Sequence, residues 1–189
     1  DKYTNKISSD DQSNFKENLK IINNQIKQIE NLVNEFSDFA RMPKPVLKNN
    51  DLIKIISESI KLSSEFDKSI NIEFDHNKEK ILFNCDKEQL NRVFFNLIKN
   101  SIESIQQKAE KYKQFDKKIL IEILENNDHI KFILIDNGIG FEPIKNDIKK
   151  ILNPYFTTKK NGTGLGLSIV NKIINDHNGE LLFLPISYG

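Results

Sequence analysis

Asn96 and Asn100 stand four residues apart in the stretch DKEQLNRVFFNLIKNSIESI, residues 86–105. On a helix that spacing puts both amides on one face. The face borders Val93 and Leu97, which the apolar pattern assigns to the core. An amide near a core boundary must find partners, because an unmet one costs about 1–3 kcal/mol. A carboxamide offers an oxygen to Mg²⁺ and an N–H to phosphate. Taken alone, the pair reads better as two helix-surface asparagines.

The second element is IDNGIG, residues 135–140, at the end of an apolar run. It is either a plain tight turn or a pocket floor. In the second case the Asp136 carboxylate accepts from the exocyclic amine of a base, a bond worth about 1.5–3 kcal/mol. Gly138 and Gly140 then let backbone approach a flat ring. The third element is TTKKNGTGLGLSIV, residues 157–170. Three glycines precede an apolar run that reads as a helix. Glycine lets backbone N–H groups face an anion at a helix start. No Lys follows the last glycine, so a Walker loop is excluded. The third glycine of a dinucleotide fingerprint falls on Leu167 or Ile169, so that motif is excluded too. Lys159 and Lys160 add positive charge beside the glycines, or are solvated loop lysines.

These pieces need a frame. Phe15, Leu19, Ile22, Ile26, Ile29, Val33, Phe36 and Ala40 alternate in steps of four and three. That seam runs for about four heptads and predicts a coiled-coil helix over 11–41, about 45 Å long. Met42-Pro43-Lys44-Pro45 stops it. The competing reading is a helix packed on its own domain. Asn50 or Asp51 caps a predicted helix over 51–65, with Leu52, Ile55, Ile56 and Ile60 on one face. Strands are predicted near 70–75 and 80–85. Asp86 and Gln89 form a capping-box-like start to the amide-bearing helix. Runs 118–125 and 129–136 flank Asn126-Asn127-Asp128 as a hairpin. A short helix over 144–152, a helix over Leu165–His177 ended by Gly179, and a last strand over 180–184 complete the reading. That order predicts an α+β sandwich with helices on one face of a mixed sheet.

Composition excludes several classes. The 189 residues carry 28 basic and 27 acidic side chains, net +1, so no global charge draws the chain to nucleic acid. Cys85 is alone, which excludes a disulfide framework and predicts a buried strand cysteine. His76, His129 and His177 lie too far apart for a metal spacing. No apolar run reaches the roughly 18–20 residues of a membrane span.

Together the motifs resemble the catalytic domains of sensor histidine kinases, within the gyrase–Hsp90–histidine kinase–MutL superfamily. DKEQLNRVFFNLIKNSIES resembles their N box, DNGIG the G1 box, PYFTTK the F box and GTGLGLS the G2 box, in family order. The heptad helix ending NEFSDFARMPKP resembles the second dimerisation helix of NtrY-type nitrogen-regulation kinases. The resemblance implies a two-layer α/β sandwich of the Bergerat type for 45–189. Residues 1–44 then supply part of a dimerising helical bundle. It implies ATP and Mg²⁺ as ligands. Asn100 is expected to ligate Mg²⁺, and Asn96 to sit beside the phosphates. Asp136 is expected to bind the adenine amine, with Gly138 and Gly140 shaping that wall. Gly162, Gly164 and Gly166 become the hinge and phosphate-facing backbone of a short lid, Phe156 its base and Lys159 a phosphate contact. Thr158, Thr163 and Leu165, in the same two boxes, join the nucleotide set. Asn96 stands where ATP-hydrolysing relatives carry a glutamate, and an amide is no general base. Slow hydrolysis and transfer to a histidine, then to a response-regulator aspartate, are expected.

Two departures stand out. None of the three histidines has the H-box context, so the acceptor is expected on a helix before residue 1, and the chain is expected not to phosphorylate itself. Glu103 stands where some relatives place a lysine. The expected setting is a cytoplasmic homodimer, with any membrane anchor outside this chain. The alternatives are a superfamily ATPase driving conformational change and a dimerising module whose nucleotide pocket is only regulatory.

Overall fold

The computed structural model describes residues 9–112, 114–126, 129–140, 148–159 and 162–184. In chain order its elements are α1 (Ser9–Ala40), β1 (Lys48–Asp51), α2 (Leu52–Ser64), β2 (Asn71–His76), β3 (Leu82–Cys85) and α3 (Lys87–Lys111). There follow β4 (Lys118–Glu125), β5 (Ile130–Asp136), a 3-10 turn (Ile148–Leu152) and α4 (Gly166–Asp176).

Strict alternation in β4 organises the core. Ile119, Ile121 and Ile123 are buried and their neighbours are not, as a strand with one covered face requires. β4 lies between β2, parallel, and β5, antiparallel. The register sets Ile72 and Asp136 opposite Ile119, and Phe74 and Leu134 opposite Ile121. Asp136 therefore ends the core-facing row of β5. A one-residue slip would turn it to the other face.

Helices α2, α3 and α4 cover that row. α3 packs between the other two and against β5, with Phe94 on Phe132 at 4.8 Å between ring centroids. Ile55, Ile56, Ile98, Ile102, Ile105, Ile169 and Ile173 join the β4 isoleucines in one cluster. Each such side chain contributes about 1.5–3 kcal/mol by leaving water. The result is the two-layer α/β sandwich that the element order predicts.

Local differences from the sequence reading have physical causes. Residues 48–51 form β1, antiparallel to β3, rather than a loop before a helix. KNND is all polar and carries no alternation to betray it. Asp51 does cap α2, through the Ile53 N–H at 3.2 Å. Asp86 caps α3 through the Gln89 N–H at 3.1 Å, but the Gln89 amide reaches the Pro43 carbonyl, so the box is half formed. α4 closes in a Schellman turn: Asn178 N–H reaches Asn175 O and Gly179 N–H reaches Ile174 O. The left-handed residue is Asn178, φ 60°, not Gly179. Residues 180–184 form no strand, and Leu182 and Leu184 are exposed there. The hairpin is present, with Asn126 N–H on His129 O, although Asn127 and Asp128 lie outside the described residues. Of the predicted helix over 144–152, the described part is the 3-10 turn. Cys85 is fully buried, and burial pushes its thiol pKa up.

The heptad residues of α1, from Phe15 to Ala40, are exposed along its length. Its last turns touch the sandwich, where Phe39 packs against the core. No helix among the described residues is long and apolar enough to cross a membrane.

Candidate functional site

α3 is the floor on which the selected residues meet. Its apolar stripe faces the sheet, and the adjoining stripe carries Asn96, Asn100, Glu103 and Ser104. Ser101, buried, donates to Asp136 Oδ2 at 2.9 Å. The Gly138 N–H donates to Asp136 Oδ1 at 2.9 Å. The carboxylate at the end of β5 is thus oriented by α3 on one side and its own turn on the other.

That turn is bolted to the helix. Ile139 N–H reaches Ser104 O at 3.2 Å, and Lys108 Nζ reaches Asn137 O at 2.6 Å. A Cβ on Gly138 would stand 2.2 Å from Ser104 Oγ and 2.7 Å from the Ser104 carbonyl carbon. Gly138 is therefore required by contact with α3. Gly140 has open space and φ 72°, so its requirement is conformational.

The glycine-rich segment closes the other side. Tyr155 N–H bonds Gly164 O at 3.0 Å, joining the PYFTTK and GTGLG stretches at their base. Gly164 has φ 70°, and a Cβ there would meet Tyr155 C at 2.5 Å. Tyr155 itself carries φ 68°. Phe156 is half-buried at this base. A Cβ on Gly166 would lie 3.5 Å from Asn96 Oδ1, so the start of α4 faces the first amide. Leu165 at the cap is buried and offers no side-chain hydrogen bond, leaving the first N–H groups of α4 without one. Lys159 Nζ donates to Asn100 Oδ1 at 3.0 Å and also to Glu103.

Asn96, Asn100, Asp136, Lys159 and Gly166 are accordingly neighbours of one helix, and Gly164 anchors the loop that brings two of them there. Thr158 is exposed. Thr163 donates to Glu35 of α1 rather than facing α3. A Cβ on Gly162 would clash with Thr157 Oγ1 at 2.4 Å, so Gly162 serves the turn. Lys160 lies outside the described residues. Sequence reasoning did not find Ser101, Ser104 or Glu35; the two serines were signalled only by their place one and four residues past Asn100. A groove of about 910 Å³ opens elsewhere, between the end of α1 and the start of α3, and none of the selected residues lines it.

The arrangement suits an anion held together with a cation. A positive charge already rests on the Asn100 oxygen, and an uncapped helix start beside Asn96 favours negative charge. Among the described residues no three His, Cys, Asp or Glu side chains converge as a metal cage. A divalent ion here would draw most of its ligands from phosphate oxygens and water, the habit of Mg²⁺.

Residues 85–185 match the family model described as histidine kinase-, DNA gyrase B-, and HSP90-like ATPase. Over 171 residues the chain is 34% identical to a Rickettsia typhi protein named as NtrY-like sensor histidine kinase, covering 90% of this chain and 27% of the relative. It therefore spans about a quarter of that relative's length. The solved catalytic domain of histidine kinase ThkA aligns with TM-score 0.57 and 30% identity, over 69% of this chain and 80% of that one. ThkA in complex with the response regulator protein TrrA aligns with TM-score 0.65 and 27% identity, over 87% of this chain and 45% of that one.

Proposed function

Because the chain belongs to the family of histidine kinase-, DNA gyrase B- and HSP90-like ATPases, we propose that it is the ATP-binding catalytic part of a two-component sensor histidine kinase. It passes the γ-phosphate of ATP to a histidine on a separate helical segment, for relay to an aspartate of a response regulator. The observation that carries this reading is the meeting of Asn96, Asn100 and Asp136 along α3, with Asn96 beside the open start of α4.

In this reading the Asp136 carboxylate, held by Ser101 and Gly138, accepts from the adenine amine. Asn100 supplies an amide oxygen to Mg²⁺. Asn96 and the first N–H groups of α4 bracket the phosphates. Bound Mg²⁺ would neutralise charge as the phosphoryl group moves. The protein's own contribution is positioning and exclusion of water. Asn96 cannot take a proton from water, so hydrolysis is slow and the phosphoryl group waits for a better-placed acceptor.

The three histidines do not supply that acceptor. Both ring nitrogens of His177 are engaged, one by the Asp86 N–H and the other with Ile173 O. His76 Nδ1 lies 2.9 Å from Lys78 O, and His129 sits at the hairpin. We read 1–44 as part of a dimerising helical region and 45–189 as the catalytic domain. The exposed heptad face of α1 supports a homodimer, with a cytoplasmic setting and any membrane contact through other segments.

The test mixes the chain with a separately made helix domain carrying an H box and with radiolabelled Mg²⁺–ATP. Label is expected on that helix and not on His76, His129 or His177. Asp136→Asn is expected to weaken ATP at least ten-fold, about 1.4 kcal/mol, and to remove the rise in melting temperature that Mg²⁺–ATP gives the parent. No label on that helix, or unchanged affinity in Asp136→Asn, would overturn the assignment, and label on His76, His129 or His177 would overturn the exclusion of the chain's own histidines.

A further inference from the structure

Lys159 reaches the second amide from the opposite wall. Thr157 Oγ1 accepts the Lys159 N–H at 3.1 Å, and Lys159 O accepts from Gly162 at 3.2 Å, so a tight turn presents the side chain inward. Its ammonium then bridges Asn100 Oδ1, at 3.0 Å, and the Glu103 carboxylate. Glu103 lies three residues past Asn100 on α3, so both acceptors belong to one helix face. The pair is partly screened, with side chains 29% and 33% exposed, and Lys99 Nζ stands 3.9 Å from the other Glu103 oxygen.

A divalent cation and an ammonium cannot share one amide oxygen at close range, because like charges at a few ångströms repel strongly in a partly buried site. We propose that Glu103 is a positioning residue that parks the Lys159 ammonium on the Asn100 oxygen, so that this contact and Mg²⁺ binding at Asn100 are mutually exclusive. The inference rests on the reading of Asn100 as a metal-binding amide. Arrival of the metal–triphosphate expels Lys159, which frees its charge for the phosphates. Glu103 thereby lowers nucleotide affinity through Lys159, as an electrostatic latch on the lid.

The test uses the whole chain with Glu103→Gln, Lys159→Met and the double variant. The first probe is Mg²⁺ with a non-hydrolysable ATP analogue, by calorimetry at fixed ionic strength, with adenosine as the phosphate-free control. Glu103→Gln is expected to tighten the analogue at least three-fold, to leave adenosine unchanged, and to have no effect in the Lys159→Met background. Equal tightening in both backgrounds would mean that Glu103 repels phosphate directly, and would overturn the latch, as would no tightening at all. The second probe needs no nucleotide. Trace acylation should modify Lys159 at least three-fold faster in Glu103→Gln than in the parent, relative to exposed Lys54. An unchanged rate overturns the latch. A parent chain that binds neither analogue nor adenosine would sink the nucleotide reading instead, while the acylation ratio still reports whether Glu103 holds Lys159.

Discussion

Gly164 shows how little a single residue can yield at this site. Its φ of 70° lies in the left-handed region, and a Cβ there would press on Tyr155 C and Phe156 N. Those are backbone atoms, which cannot swing aside as a side-chain tip can. Gly164→Ala is expected to cost about 1–3 kcal/mol of local strain. It should appear as at least ten-fold weaker nucleotide binding in calorimetry, with the thermal unfolding of the sandwich shifted little. The spacing of Asn96 and Asn100 and the motif around Asp136 were legible because side-chain type and helical period state them directly. The groups that orient them were not. Ser101 and Ser104 are ordinary helix residues until the turn after β5 is laid on α3. Gly138, expected to let backbone approach a ring, also leaves room for that helix.

At the level of elements, one aspartate ties three segments together. Asp86 caps α3 and accepts the Val46 N–H at 2.8 Å, anchoring the chain just before β1. Its own N–H donates to His177 at the end of α4. Burial pushes its pKa up, but the N–H groups of Val46, Gln89 and Glu88 outweigh that and hold it below the usual aspartate value. A depressed folded pKa contributes stability that is complete above the unfolded value, near 3.9, and is lost as pH falls through the folded one. Asp86→Ala is therefore expected to cost about 0.5–2 kcal/mol near neutral pH. The gap between variant and parent should hold down to about pH 5 and close below about pH 4, as read by urea unfolding across pH. α2, α3, β2, β4 and β5 were legible because each carries a clear apolar period. β1 was not, since four polar residues become a strand only when β3 offers its edge. The expected strand at 180–184 failed for the reverse reason: an apolar run without a paired edge stays irregular.

Across the whole molecule, α1 is the part whose burden the fold leaves unmet. Phe15, Ile22, Ile26, Ile29 and Val33 are each about half exposed or more, and such a face costs free energy until another helix covers it. Replacing Ile26 with Glu is expected to reduce self-association at least ten-fold in sedimentation equilibrium, while the Mg²⁺–ATP shift in melting temperature persists. The end of α1 also meets the glycine-rich segment, through Glu35 with Thr163 and Phe36 stacked on Tyr155 at 6.5 Å. The sequence by itself determined the sandwich class, the four motifs and their order, because local period and residue type are properties of short windows. Only the tertiary structure decided which glycine answers to packing and which to conformation, that Thr163 faces α1, and that a lysine lies on the second amide. Those depend on distances between segments far apart in the chain, and such distances exist only once the sheet and its helices have closed on each other.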